Sequence, residues 1–236
     1  MMVRIGSFLF HYRNGIFPIA YVLLFLNSPQ ILKDSAWGLA VGFIVAMFGQ
    51  GVRAVTIGLA YIIRGGKARQ VYAEHLVQDG IFAHCRNPLY VGNFLILCGL
   101  GLAANSLWFL VIGLPFFALA YRCIIAAEEN YLREKFGAEY DKYCGRVNRF
   151  IPKLAGFGET LHSVEFKWRR LIVKEYGSAY AWIAGMILVV LKNEWFGRFE
   201  PYSAAFVRTL ISLLCFLSAA YLCARYLKKS RILEAD

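Results

Sequence analysis

Residues 86–129 read RNPLYVGNFLILCGLGLAANSLWFLVIGLPFFALAYRCIIAAEE, and this stretch decides the fold. Two apolar runs, 89–104 and 106–127, are joined by only Asn105-Ser106. They are expected to form a tight helical hairpin whose tip is polar but uncharged. A helix needs about 20 apolar residues to cross the hydrocarbon core of a bilayer, and both runs approach that length. Pro88 has no backbone donor to lose and suits the first turn of a helix. Glu128-Glu129 end the second run. Working outward, four more apolar segments lie at about 16–32, 37–63, 178–192 and 204–226. The expected fold is all-α and integral to a membrane, with about six transmembrane helices.

Composition agrees. Of 236 residues, 59% are hydrophobic, against about 45–50% in soluble domains, and the mean hydropathy is +0.51. The formal net charge is +11. In a soluble protein that balance would raise nucleic-acid binding. Here the basic residues sit between apolar spans, so orientation in a bilayer explains them better, and anionic lipid headgroups are the expected partners. Segments 1–15, 64–88, 122–177 and 225–236 hold 21 of the 26 Lys and Arg residues. Lys33, Lys192 and Arg198 fall on the other side. The bias puts both termini and the loops around 86 and 129 in the cytoplasm, in a plasma, inner or endoplasmic-reticulum membrane.

The N-terminus lacks the short apolar region and small-residue cleavage site of a signal peptide. The six cysteines (Cys85, Cys98, Cys123, Cys144, Cys215 and Cys223) form no CxxC pair and read as reduced packing residues. The histidines (His11, His75, His84 and His162) do not cluster, so no metal is expected. No GxGxxG lies between a strand and a helix, and Gly99-Leu100-Gly101 sits inside an apolar span. A soluble Rossmann-type cofactor site is therefore not expected.

Within 157–176, Leu161, Val164, Trp168, Leu171 and Ile172 share one helical face, while His162, Lys167, Arg169, Arg170 and Lys174 fall mostly on the other. A basic amphipathic helix with Trp on its apolar side tends to lie in the membrane interface; a solvated helix packed on the loop region is the alternative.

Charged and ring-bearing residues concentrate where these spans end. Arg86 precedes the hairpin at the membrane boundary, where a guanidinium can pair a carboxylate or phosphate with two parallel hydrogen bonds. Tyr90 adds a hydroxyl one turn into the helix. An ordinary interfacial anchor would look the same. Glu128 and Glu129 are harder to dismiss. Adjacent carboxylates repel, and a helix C-terminus disfavours negative charge. Such a pair calls for a cationic or hydroxylic partner: a ribose diol, a sulfonium or Arg86. Leu132, Phe136, Tyr140 and Tyr143 follow at helical spacing with a break at Gly137, as expected of a small helical cytoplasmic cap. Arg53 lies roughly 15 Å of helix inside the second span. A charge at that depth marks a functional site by default. It is expected to bind an anionic acceptor group or to pair with Glu128 or Glu129; a structural ion pair is the alternative.

Arg86-Asn87-Pro88-x-Tyr90-x-Gly92, followed by Glu128-Glu129-x-x-Leu132-x-x-x-Phe136-Gly137-x-x-Tyr140-x-x-Tyr143 and Arg149-Phe150-Ile151-Pro152, resembles the isoprenylcysteine carboxyl methyltransferase and phospholipid methyltransferase superfamily. Gly80-Ile81-Phe82 is similar to that family's element upstream of the arginine. The resemblance covers about residues 70–152. It implies a multi-span membrane enzyme using S-adenosylmethionine, with a catalytic core at 64–152. By the same resemblance His75, Leu76, Gly80, Arg86, Asn87, Tyr90, Glu128, Glu129 and Arg149 hold the cofactor. Arg53, Tyr90 and Glu129 are expected at the reacting centre. Carboxyl methyltransferases of this family often carry His where this chain has Asn87, so the acceptor stays open among a prenyl or lipid carboxylate, a phospholipid amine and another lipophilic nucleophile. The interfacial segment 153–177 and the two spans in 178–226 lie beyond the family's compact core in what is otherwise one membrane domain, 1–236. No obligate protein partner and no nucleic acid are expected.

Two other classes compete. Steroid and sterol reductases share the architecture and an Arg-x-Pro-x-Tyr element, but use NADPH, whose extra phosphate needs more basic contacts. A transporter would show inverted repeats or helices broken at midplane, and neither is visible.

Overall fold

Two glycines on each of two helices let their backbones meet directly. In the computed structural model, which describes residues 1–60, 71–163, 165–197 and 203–230, helix α2 (Ser35–Leu59) packs along helix α3 (Pro88–Ala103). A Cβ on Gly42 would stand 2.4 Å from the Gly99 carbonyl oxygen, and one on Gly49 would stand 2.7 Å from that of Gly92. The two pairs are one heptad apart, so the small residues form a seam on which the backbones touch. Lipid chains are as apolar as leucine, so close packing of this kind, and not hydrophobic exclusion, holds membrane helices together. The Asp34 carboxylate caps the start of α2 by accepting from Ala36 N at 2.8 Å.

The hairpin turns at Asn105, which adopts a left-handed conformation (φ 47°), and runs through a π-helical turn, Phe109–Gly113, into α4 (Leu114–Phe136). Pro115 has no N–H to offer the carbonyl four residues earlier, and the helix widens just before it. Gly137, at φ 50°, breaks α4 from α5 (Ala138–Arg146), at the position the sequence marks.

Helix α1 spans Met2–Tyr21 and is followed by a single 3-10 turn, Val22–Leu24. The first apolar segment, expected at 16–32, is thus not one helix: most of α1 precedes it. Hydropathy stops at Arg4, His11 and Arg13, but α1 is held by a contact hydropathy does not see, Gly6 against the Cys123 backbone of α4. Residues 25–34 leave the helix at Asn27-Ser28-Pro29. They are pinned by the Asn105 side chain, whose Oδ1 accepts from Ile31 N (2.9 Å) and Leu32 N (3.0 Å) and whose Nδ2 donates to Leu32 O (2.7 Å). Asn105→Ala strands these backbone groups. It is expected to cost about 2–4 kcal/mol, read as a lowered thermal midpoint in detergent.

The expected amphipathic helix at 157–176 is also corrected. A short helix α6 (Phe157–Ser163) ends, and α7 runs unbroken from Trp168 to Trp195. Val164 lies outside the described residues. Arg170 explains the join, because its guanidinium donates to the Ile57 and Gly58 carbonyls, both at 2.8 Å. These lie in the last turn of α2. The start of α7 is therefore docked on α2, while Trp168 and Ile172 still face outward. The apolar segment at 178–192 is the interior of this one helix. Lys192, buried near the other end of α7, donates to the Ala104 and Leu24 carbonyls at 3.0 and 3.3 Å.

Helix α8 (Ala204–Lys229) buries none of its residues. It leans on α7 through the stacked rings of Tyr180 and Tyr221, 4.5 Å apart. Among the described residues, three helical stretches suffice by length and apolarity to cross a membrane: Ser35–Leu59, Phe109–Phe136 and Ala204–Lys229; α3 is apolar but shorter. No strand occurs among the described residues. The main core gathers Leu97, Leu100, Phe109, Phe117, Ile125 and Val189; a second, small one gathers Tyr140, Tyr143 and Val147.

Candidate functional site

Backbone pairing brings the two charged strings together. Arg86 N donates to Asn148 O at 2.9 Å and Lys153 N to His84 O at 3.0 Å, while Asn87 Nδ2 donates to Arg149 O at 3.2 Å. The His84 ring adds contacts to Lys153 O at 2.7 Å and Thr160 Oγ1 at 2.8 Å. Chain 147–153 is thereby strapped across chain 84–87. Gly80, in the left-handed region at φ +57°, opens the 3-10 turn Gly80–Ala83 that leads into this strap.

Beneath the strap lies a cavity. Its wall includes Arg86 and Asn87 from the start of α3, Glu128, Glu129 and Leu132 from α4, Tyr140 and Tyr143 from α5, the chain 71–77 with His75 and Leu76, and Phe10 from α1. The two acids do different things. Glu129 is buried and receives Arg149 Nε at 3.0 Å, with Arg149 Nη2 on its second oxygen. Arg86 Nη1 stands 3.7 Å from it. Two guanidinium groups thus offset one carboxylate. Glu128 accepts the Tyr90 hydroxyl at 2.8 Å, and no ion pair to it occurs among the described residues.

Arg86 itself is incompletely used. One Nη meets Cys144 Sγ, but its buried Nε finds no acceptor among the described residues. A buried donor left unpaired costs about 1–3 kcal/mol, so this atom favours an anionic oxygen in the cavity. The phenols hold their protons. Burial, with the Glu129 charge beside it, pushes Tyr140 far above the usual phenol range; burial does the same to Tyr143, whose hydroxyl donates to Phe82 O at 2.8 Å. Burial also raises the Cys85 thiol, which disfavours the nucleophilic thiolate.

Of the residues singled out in the sequence, His75, Leu76, Arg86, Asn87, Glu128 and Glu129 line the cavity. Tyr90 and Arg149 reach it through the carboxylates they bond. Gly80 stands behind it, against the Leu59 carbonyl. Arg53 does not pair with Glu128 or Glu129. Its carboxylate partner is Glu175 on α7, gripped with two bonds of 2.9 and 2.8 Å. Sequence reasoning passed over Glu175, although Glu175, Ser178 and Trp182 recur at helical spacing into the apolar run. It also passed over Phe10, for which the sequence carries no signal.

A helical bundle with apolar outer faces and a charged, ring-lined cavity is the architecture of a membrane-associated protein. The phospholipid methyltransferase family matches residues 37–139. A nickel-cobalt-cadmium resistance protein of Alcaligenes xylosoxydans xylosoxydans is 32% identical over 193 residues, which cover 79% of this chain and 84% of that protein. A cobalt-zinc-cadmium resistance protein of Cupriavidus metallidurans is 30% identical over 216 residues, 89% of this chain and 92% of the relative. Protein-S-isoprenylcysteine O-methyltransferase of Schizosaccharomyces pombe is 38% identical over 81 residues, 33% of each chain. No solved structure matches. The chain belongs to one family with the two resistance proteins, and its segment 37–139 matches the phospholipid methyltransferases, which supports a membrane methyltransferase.

Proposed function

We propose that the cavity binds S-adenosylmethionine from the aqueous side and that the protein methylates a lipophilic acceptor reaching it from the bilayer. The observation that carries this reading is the charge layout of the wall. Among the described residues, Glu74, Glu128 and Glu129 line it with one arginine, Arg86. An acid-rich wall favours a sulfonium cation and disfavours NADPH, whose phosphates bring several negative charges. Arg86, with its unused Nε, suits the donor's one carboxylate. That contrast makes a methyltransferase the better reading than a membrane reductase.

S-adenosylmethionine, when bound, supplies an activated methyl group. The residues of this chain would hold and align it. Glu128 and the faces of Tyr140 and Tyr143 suit a cationic sulfur. Tyr90 fixes the Glu128 carboxylate, Arg149 anchors Glu129, and His75, Leu76 and Asn87 complete the wall. Displacement at a methyl carbon asks mainly for alignment and exclusion of water, and the strap 147–153 contributes by fixing Arg86 and Asn87 through its backbone.

In this reading α1, α2, α3, the stretch 109–136, α7 and α8 are six spans, α5 with chain 71–87 and 137–153 is a cytoplasmic cap, and both termini face the cytoplasm. Chain 61–70, with its basic Arg64, Lys67 and Arg69, lies outside the described residues, as does Arg198. The test is methyl-labelled S-adenosylmethionine supplied to detergent-purified protein with a total lipid extract. Label in an organic-soluble product is expected. Label in no fraction, with the donor bound or not, would overturn the assignment.

A further inference from the structure

Arg53 is a deeply buried charge that the proposed methyl-donor site does not touch. It is 2% exposed. Besides the double bond to Glu175, its Nη2 donates to Ser178 Oγ at 3.0 Å and its Nη1 donates to Asn93 Oδ1. Four of its five N–H donors are thus spent on the protein. Gln50 extends the network, with Nε2 on Glu175 Oε2 at 3.3 Å and Oε1 accepting from Trp182 Nε1 at 3.0 Å. Little of the guanidinium remains for an anionic acceptor.

A buried ion pair is a poor device for stability alone, because well-packed apolar residues of the same volume often hold a fold as well or better. What it adds is fixed geometry. Asn93 lies three residues beyond Tyr90 and shares its face of α3. Gly92 lets the arginine stem cross the α3 backbone: a Cβ there would stand 2.6 Å from Arg53 Cγ. The Arg53 guanidinium therefore grips α3 one turn below the Tyr90 hydroxyl and ties that turn to α7. We propose that Arg53, Asn93 and Glu175 form a clamp that sets the rotation of α3 and so holds Tyr90 against Glu128. Arg53 is a positioning residue, and α7, which lies beyond the matched segment 37–139, is the element that anchors it.

The lever arm is long. A tyrosine hydroxyl stands roughly 9 Å from the axis of its helix, so a turn of about 10° moves it by roughly 1.5 Å. Misplacement by about 1 Å can cost on the order of 10²-fold in rate. The proposal rests on reading Tyr90 and Glu128 as part of the methyl-donor site.

The test separates the clamp from that reading. 3-Fluorotyrosine is placed at position 90 and fluorine spectra are recorded for the full chain in detergent, for the wild type, Asn93→Ala, and the paired Arg53→Met with Glu175→Leu. Asn93→Ala leaves the Arg53–Glu175 pair intact, and the paired variant leaves no charge buried alone. Each is expected to move or split the fluorine line. Each is also expected to lower kcat by roughly 10- to 100-fold while the Kd for S-adenosylhomocysteine changes less than about threefold. A fluorine line in Asn93→Ala identical to wild type overturns the clamp. Equal losses in kcat and donor affinity, scaling with the folded fraction, would do the same. If the wild type neither binds the donor nor transfers methyl, the methyltransferase reading falls, and the fluorine line still decides whether Asn93 orients Tyr90.

Discussion

Glu129→Gln is expected to weaken S-adenosylmethionine binding by roughly a hundredfold, about 3 kcal/mol, while the protein stays folded. The side chain is nearly isosteric, so the effect is electrostatic. In the wild type the carboxylate receives both Arg149 bonds and faces Arg86 at 3.7 Å. An amide keeps one acceptor and turns an N–H toward a guanidinium. Arg149 is half exposed and can turn to water, but the Arg86 side chain is only 13% exposed and cannot. It would lose its counter-charge and the orientation that leaves its Nε for the ligand. The segment around α5 has its own small core in Tyr140, Tyr143 and Val147, so helicity should change little, while the thermal midpoint falls with the lost counter-charge. Titration calorimetry with far-ultraviolet dichroism as a control measures both. An affinity within threefold of wild type would remove Glu129 from the donor site.

Gly99→Val should break the seam between α2 and α3. A Cβ at Gly99 lies 2.4 Å from Gly42 O and 2.6 Å from Ala46 N, both backbone atoms. No rotamer change relieves a clash with backbone, so α2 and α3 must part along the seam. The expected loss is about 3 kcal/mol or more, seen as aggregation on size exclusion in detergent or a large fall in thermal midpoint. Gly51→Ala is the control: it sits on α2, the partner helix of the seam, with nothing within 4 Å of a new Cβ. Its midpoint should match wild type. Equal tolerance at both positions would mean that the glycine seam does not hold the helices.

What the sequence made legible was local or repeated. The hairpin over 89–127 shows in two apolar runs with only Asn105-Ser106 between them, and the break after Phe136 shows as a glycine. The two charged strings announce a common site because each is odd by itself: paired acids where an apolar run stops, although α4 continues to Phe136, and an arginine beside a helix start. What stayed hidden depends on partners far away in the chain. The start of α1 at Met2 is set by Gly6 against α4, and a hydropathy window weighs composition, not contact. Residues 157–176 carry the pattern of an interfacial helix, yet Arg170 finds the carbonyls ending α2, 112 and 113 residues away. The partner of Arg53 is 122 residues distant, and Glu175 beside Lys174 reads as a solvated charge until α2 and α7 are seen together.

The central claim is that the hollow between Arg86 and the acids of α4 grips a sulfonium donor. Calorimetric titration of the detergent-solubilised full chain with S-adenosylmethionine, and separately with NADPH, tests it most directly. The account predicts saturable one-to-one heat with S-adenosylmethionine, lost in Arg86→Met and Glu129→Gln, and none with NADPH. Saturable heat with NADPH alone, or S-adenosylmethionine binding indifferent to both substitutions, would contradict it.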